Sequence, residues 1–169
     1  MKIHVGGDGS LLTLADLKQY SSFIGRDWSE DFKLQKHLLD ESDKKTIALW
    51  GTGFECDWKV EFRQGITSRQ GMRENEQYIN NTTGELYLIN YDSLTMSAQF
   101  EDHTLPDEET SAYKIDLPRG ILKLRIVQMI DPTKVSFWDK LTKKPGFIVE
   151  YDNVPDGENK LPNIPWANI

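Results

Sequence analysis

Histidine, cysteine and paired carboxylates are the side chains through which a chain of 169 residues would perform hydrolysis, redox or metal chemistry, and here they are scattered. The single cysteine, Cys56, has no partner for an internal disulfide or a CxxC site. It lies in Phe54-Glu55-Cys56-Asp57-Trp58, between two acids that raise a thiol pKa rather than activate it, so it reads as structural. His4, His37 and His103 form neither an HxH nor an HExxH pair, and zinc would need the fold to gather them with carboxylates. Without a histidine cluster no serine, nor Cys56, has an evident base for a hydrolytic triad. Carboxylate pairs are plentiful among 27 acidic residues, but the separation that would decide their chemistry is not visible in sequence. Asp152, Val154, Asp156 and Gly157 are spaced like the start of a calcium loop, yet an aliphatic residue takes a ligand position and the closing glutamate is missing.

Gly6-Gly7-Asp8-Gly9-Ser10 is the segment with most chemical promise. It is similar to the GGDG[T/S] loop of the NAD-kinase and diacylglycerol-kinase families, where glycines let the backbone approach phosphate and the aspartate serves metal or nucleotide. A strand-helix unit precedes that loop in those families; here five residues do, and the expectation is a tight hairpin turn between Ile3-His4-Val5 and Leu11-Leu12-Thr13-Leu14. Gly51-Thr52-Gly53 likewise reads as a turn, with no third glycine for a dinucleotide fingerprint. No catalytic residue, metal ligand or cofactor is assigned, and the chain is expected not to be an enzyme. A small enzyme using the Gly6–Ser10 loop is the least favoured alternative.

The formal net charge is −7, which argues against nucleic acid and against anionic membrane surfaces, since both require cations. It suits a basic protein partner. No segment has the run of roughly 20 apolar residues that spans a bilayer, and Met1 to Gly7 has no signal-peptide character, so the expected location is the cytoplasm. Asn80-Asn81-Thr82-Thr83 matches the glycosylation acceptor pattern twice and reads as a polar loop.

The elements that would position these residues follow from periodicity. A helix is expected from Asp27, with Glu30 in capping-box position and Trp28, Phe32 and Leu39 on one face beside Leu38, ending before Asp43. Ile47 and Leu49 then begin a β pattern, and Trp58, Val60 and Phe62 alternate with polar residues as a half-buried strand. Residues 64 to 83 read as a long polar loop with at most a weak strand. Strands are expected at Glu85–Tyr91, around Met96, Ala98 and Phe100, at Tyr113–Leu117, at Leu122–Ile126 with Lys123 and Arg125 facing water, and at Phe147–Tyr151. Asp131-Pro132 opens a second helix carrying Val135, Trp138 and Leu141, stopped by Pro145-Gly146. The result is a single α+β, β-rich domain over residues 1–169: a mainly antiparallel β-sandwich with two or three peripheral helices and an extended, proline-containing surface tail from about 153.

Two acidic stretches stand out within this frame. Glu101, Asp102, Asp107, Glu108, Glu109 and Asp116 lie against only Lys114; Glu150, Asp152, Asp156 and Glu158 form the second, and both read first as solvated loops. The sharper alternative is electrostatic capture of a cationic partner. Trp50, Trp58 and Trp138 are core candidates, whereas Trp166 in the tail is the tryptophan expected at an interface. The candidate partner-binding residues are therefore Glu101, Asp102, Asp107, Glu108, Glu109 and Trp166.

Three segments, residues 50–60 (WGTGFECDWKV), 84–88 (GELYL) and 115–126 (IDLPRGILKLRI), together resemble small bacterial β-sandwich proteins. These include immunity proteins encoded beside secreted, polymorphic or contact-dependent toxins, and a nuclease-inhibitor family linked to competence. The resemblance spans roughly residues 45 to 130 and carries over no functional residue, because its motifs hold up the sheet. It implies an intracellular immunity protein, monomer or homodimer, that neutralises a cognate toxin by a stoichiometric complex, with acidic groups pairing the toxin's cations. A structural or adaptor module of a bacterial assembly is the alternative.

Overall fold

The computed structural model describes residues 1–26, 32–134 and 143–167. The expected cap and face at Asp27, Trp28 and Glu30, and the helix through Val135, Trp138 and Leu141, lie outside the described residues. The nine described strands are β1 (Lys2–Val5), β2 (Leu11–Ala15), β3 (Ile47–Gly51), β4 (Trp58–Gln64), β5 (Arg73–Asn81), β6 (Glu85–Ile89), β7 (Lys114–Asp116), β8 (Gly120–Gln128) and β9 (Phe147–Asn153). They form a five-stranded sheet ordered β1-β4-β9-β8-β5 and a four-stranded sheet ordered β3-β2-β6-β7. All pairings are antiparallel except β4 with β9. The helices are α1 (Lys33–Asp43), α2 (Tyr91–Gln99) and α3 (Glu108–Ser111). The α+β, mainly antiparallel sandwich expected from periodicity is the observed architecture.

Strand patterns decide which layer each sheet occupies. β4 and β8 carry Trp58, Val60, Phe62, Leu122, Leu124 and Ile126 on one face, so the five-stranded sheet has one face in the core and one toward solvent. β2 and β3, by contrast, are apolar at nearly every position, and all ten of their residues are buried. Leu12, Leu14, Ala48 and Trp50 point into the inter-sheet core, while Leu11, Ala15, Ile47 and Leu49 pack on the other side with Leu34 and Leu38 of α1 and Leu94 and Ala98 of α2. The four-stranded sheet is therefore the middle of three layers. Phe147 sits between Trp50 and Trp58, with ring centroids 5.9 and 4.9 Å away.

Two amides close the exposed strand edges. Gln77 on β5 accepts from Leu49 N at 2.9 Å and donates to Leu49 O at 2.8 Å, imitating a neighbouring strand for β3. Asn159 in the tail accepts from Tyr78 N at 2.8 Å and donates to Tyr78 O at 2.7 Å, doing the same for β5.

Several expectations are corrected. β1 pairs with β4 and β2 with β3 and β6, so Gly6–Ser10 links the two sheets and closes no hairpin. The polar run before Thr83 contains β5, nine residues long; its inward positions are Gln77, Ile79 and Asn81, whose polar groups are bonded, which hid the alternation. Met96 and Ala98 lie on α2, because Asn90 starts a helix that its side chain caps at Ser93 N, 2.9 Å away. In α1 the buried positions are Leu34, Leu38, Glu41 and Ser42, whereas Phe32 is 74% exposed. The tail is irregular but tied in: Ile164 and Asn159 are buried.

Arg125 and Glu150 are the largest departure. The alternation and the charge run predict both to face water, yet they are 6% and 0% exposed. They are cross-strand partners on the outer face, bonded at 2.9 Å, and the segment after β4 folds over them. Thr67 donates its N–H and hydroxyl to Glu150 at 3.0 and 2.5 Å, and Arg125 also meets Glu74 and the Arg69 carbonyl. Burial pushes the Glu150 carboxyl up, but the Thr67 bonds and the Arg125 charge outweigh it and hold it below the usual range. The Arg63 bond does the same to Glu61.

Glu150→Ala removes the buried partner of the Arg125 cation and leaves it only the exposed Glu74, and should cost about 3 kcal/mol in a urea titration. An undiminished midpoint would contradict the buried pair. Because these folded carboxyls titrate below their unfolded values (near 4.3 for glutamate), the unfolded chain binds more protons as pH falls. The stabilisation is present above that value and is lost as pH drops through the lower folded pKa. Denaturation midpoints between neutral pH and about pH 3 should decline on this schedule.

Candidate functional site

At the end of the sandwich where β4 and β9 begin, three connections meet: residues 6–10, 52–57 and 90–113. They hold nine of the chain's 27 acidic residues (Asp8, Glu55, Asp57, Asp92, Glu101, Asp102, Asp107, Glu108 and Glu109) and none of its 20 Lys and Arg. The rest of the chain carries a small excess of cations, so the net acidity of the molecule resides in these loops.

Asn90 joins them. Its Oδ1 caps α2, and its Nδ2 donates to Gly6 O at 2.9 Å. Tyr91 N donates to Asp8 O at 2.9 Å, and Asp8 N donates to Asp92 Oδ2 at 3.0 Å. Gly6 N donates to the Tyr113 hydroxyl at 3.1 Å, which donates to Glu109 Oε1 at 3.0 Å. Asp8 Oδ1 accepts from Ser10 N at 2.8 Å. The N–H groups of Gly6, Asp8 and Ser10 that a phosphate would need are thus engaged within the chain. Carboxylates also crowd the loop: Asp57 Oδ1 and Glu109 Oε1 lie 3.7 and 3.8 Å from where a Cβ on Gly6 would stand. Asp92 Oδ2 is 3.3 Å from the same point on Gly7. Gly9 is required by packing, since a Cβ there would collide with the Cys56 carbonyl and stand 2.7 Å from Trp58 Cδ1.

The titrating groups reflect this environment. Burial pushes the Cys56 thiol up to about 11, with Asp57 adding to the shift. Burial also raises Tyr113, aided by Glu109 and Asp57 and opposed by the Gly6 N–H. Asp107 is pushed up by burial but held below the usual range by bonds from Ser93, Thr110 and His103. Among the described residues no group of three or more His, Cys, Asp or Glu is arranged to hold a metal ion.

The candidate residues divide. Glu101, Asp102, Glu108 and Glu109 are exposed, as the capture of a partner requires. Asp107 caps α3 through Thr110 N at 2.7 Å and pairs with His103 at 3.2 Å, so it is largely structural. Trp166 is half-buried against the core, under the Arg73 guanidinium at 4.6 Å, and is not gathered with the 101–109 segment. Asp8, Glu55, Asp57 and Asp92 were missed, because sheet pairing rather than sequence proximity brings them together. The available signal was the absence of Lys and Arg from each of their segments. Apolar side chains join the acids: Phe23, Met96 and Phe100 are all exposed near Glu101 and Asp102.

No helix among the described residues is long and apolar enough to cross a membrane. No family model matches the chain, and no curated protein matches its sequence. Among solved structures the chain is similar to Crocagin biosynthetic gene J, at 10% identity and a TM-score of 0.55, over 90% of this chain and 94% of that one. It is also similar to ComJ, inhibitor of the DNA degrading activity of NucA, from Bacillus subtilis, at 11% identity and a TM-score of 0.53, over 91% and 96% of the two chains. At these identities the likeness is one of fold.

Gly9→Ala should lower stability by about 1–3 kcal/mol through overpacking, whereas Gly6→Ala, with only ordinary contacts around it, should stay within about 0.5 kcal/mol. Denaturant midpoints of the two variants decide whether the loop is a packed joint. Equal losses would contradict the asymmetry.

Proposed function

We propose that this chain is an immunity-type inhibitor, which binds a cognate bacterial toxin in a stoichiometric complex and neutralises it with the acidic end of the sandwich. The observation that carries this reading is the convergence of nine carboxylates, without a Lys or Arg, on three connections at one end of the fold. Such a surface speeds the encounter with a cationic protein and orients it. Enzymes that act on nucleic acid present cations to the phosphate backbone, so a nuclease is a natural occupant. That one solved structure of similar fold is an inhibitor of a DNA-degrading activity supports this direction. The network around Gly6–Ser10, filled by the chain's own carboxylates and phenol, favours binding over phosphate chemistry in that loop.

Calorimetry against the toxin encoded beside this chain should give an equimolar complex, and its association rate should fall steeply as salt rises above about 0.1 M. Glu55, Asp57 and Glu108 are exposed and have no cationic partner among the described residues. The triple variant Glu55→Gln, Asp57→Asn, Glu108→Gln should slow association about tenfold and leave the denaturation midpoint in place. Failure of any complex to form would overturn the reading.

A further inference from the structure

Phe23, Met96 and Phe100 are 44, 42 and 38% exposed at the C-terminal end of α2. Single exposed apolar side chains are ordinary, but grouped ones mark contact surfaces. The backbone beneath them is firmly held. Ile24 N and Gly25 N both donate to Ala98 O, at 2.9 and 3.1 Å, and Phe100 N donates to Met96 O at 3.0 Å. The buried members of this region are Leu94 and Ala98, so the fold's own packing here is complete without the three exposed side chains.

Phe100 stands between two shallow grooves. One, of about 360 Å³, lies between Phe23 and Phe100 with Arg26, Gln99, Glu101 and Asp102 around it. The other, of about 300 Å³, is lined by Met96, Phe100, Asp102 and His103. Both are open, and each is of a size that admits a large side chain presented by another surface. Glu101 and Asp102 are exposed and have no cationic partner among the described residues.

We infer that this strip anchors the cationic partner: an aromatic or long aliphatic side chain of that partner seats beside Phe100, and Lys or Arg residues flanking it pair with Glu101 and Asp102. The identity of the partner rests on the inhibitor reading, but the chemistry of the groove does not. Apolar anchors ringed by polar groups carry most of the energy in protein interfaces, while surrounding charge sets rate and orientation. A second copy of this chain is a poor occupant. A two-fold contact through this face would set the acidic end against its own counterpart, where like charges repel.

The test is an amide NMR titration of the whole chain with two short synthetic peptides, one with a tryptophan flanked by lysines on both sides and one with alanine in its place. The tryptophan peptide should shift the signals of Phe23, Met96 and residues 99–103 and bind about tenfold more tightly than the alanine peptide, a difference of the size one anchor contributes. Phe100→Ser and Met96→Ser should each erase that preference; both positions are exposed, and a preserved amide spectrum confirms the fold. Equal affinity of the two peptides would overturn the proposal, as would shifts confined to Asp57 and Glu109, or sedimentation showing that Phe100→Ser dissociates a homodimer. If the toxin complex forms equally well with Phe100→Ser, the anchor fails while the inhibitor reading stands. If the toxin does not bind but the tryptophan preference persists, the inhibitor reading fails and the groove stands.

Discussion

The side-chain amide of Asn90 is the joint on which the acidic end depends. With one atom it starts α2 and with another it holds Gly6, so it fixes the β6–β7 connection to the link between the sheets. Nine carboxylates at one end of a small protein repel one another, and something must offset that repulsion if the loops are to stay together. The donors that do so are neutral: the Tyr113 hydroxyl and the backbone N–H groups of Asp8, Ser10 and Thr110. Hydrogen bonds to a charged acceptor are stronger than neutral ones, so a few suffice.

Elsewhere several carboxylates meet cations, although the buried Asp16 is again held by neutral donors from Gln19 and Thr82. Glu61 meets Arg63, Glu76 meets Lys123, Glu85 meets Lys114, Asp40 meets Lys36, and Glu150 meets Arg125. Across the three acidic connections the one ion pair among the described residues is His103 with Asp107. A carboxylate held by an amide keeps its field, whereas one held by a guanidinium loses most of it. Apart from the buried Glu150–Arg125 pair, these partly exposed pairs contribute little to stability, and their main consequence is to leave the remaining surface nearly neutral.

How far the sequence disclosed this depended on whether neighbours in space were neighbours in the chain. Alternation in β4, β8 and β9 marked the inward faces of the larger sheet, and the unbroken apolar runs of β2 and β3 are those of strands buried on both sides. Polar side chains that are buried and bonded defeated the same logic. Gln77 and Asn81 made β5 look like loop, and the alternation at 96–100 looked like strand until the Asn90 cap is taken into account. Arg125 and Glu150 occupy outward positions that are dry only because the residues after β4 return across them, which no local pattern announces. The acidic segment 101–109 was legible from composition, but its union with Asp8, Asp57 and Asp92 required the sheet order.

Charge also has a direction in this fold. Lys2, His4, Lys59, Lys143 and Lys144 border a small cleft on the five-stranded sheet, beside the starts of β4 and β9 and so at the same end as the acidic connections. The concentration of carboxylates on the three connections turns the molecule in the field of a cationic partner before contact. Orientation of this sort raises the fraction of encounters that are productive, but it holds nothing in place once salt screens it beyond about 10 Å. Retention must come from desolvated contact at short range. At the acidic end, apolar side chains and carboxylates without an ion-pair partner coincide beside Phe100. Steering by the loops and anchoring by that strip are therefore separable properties of one surface, the first sensitive to salt and the second to the loss of a single aromatic ring.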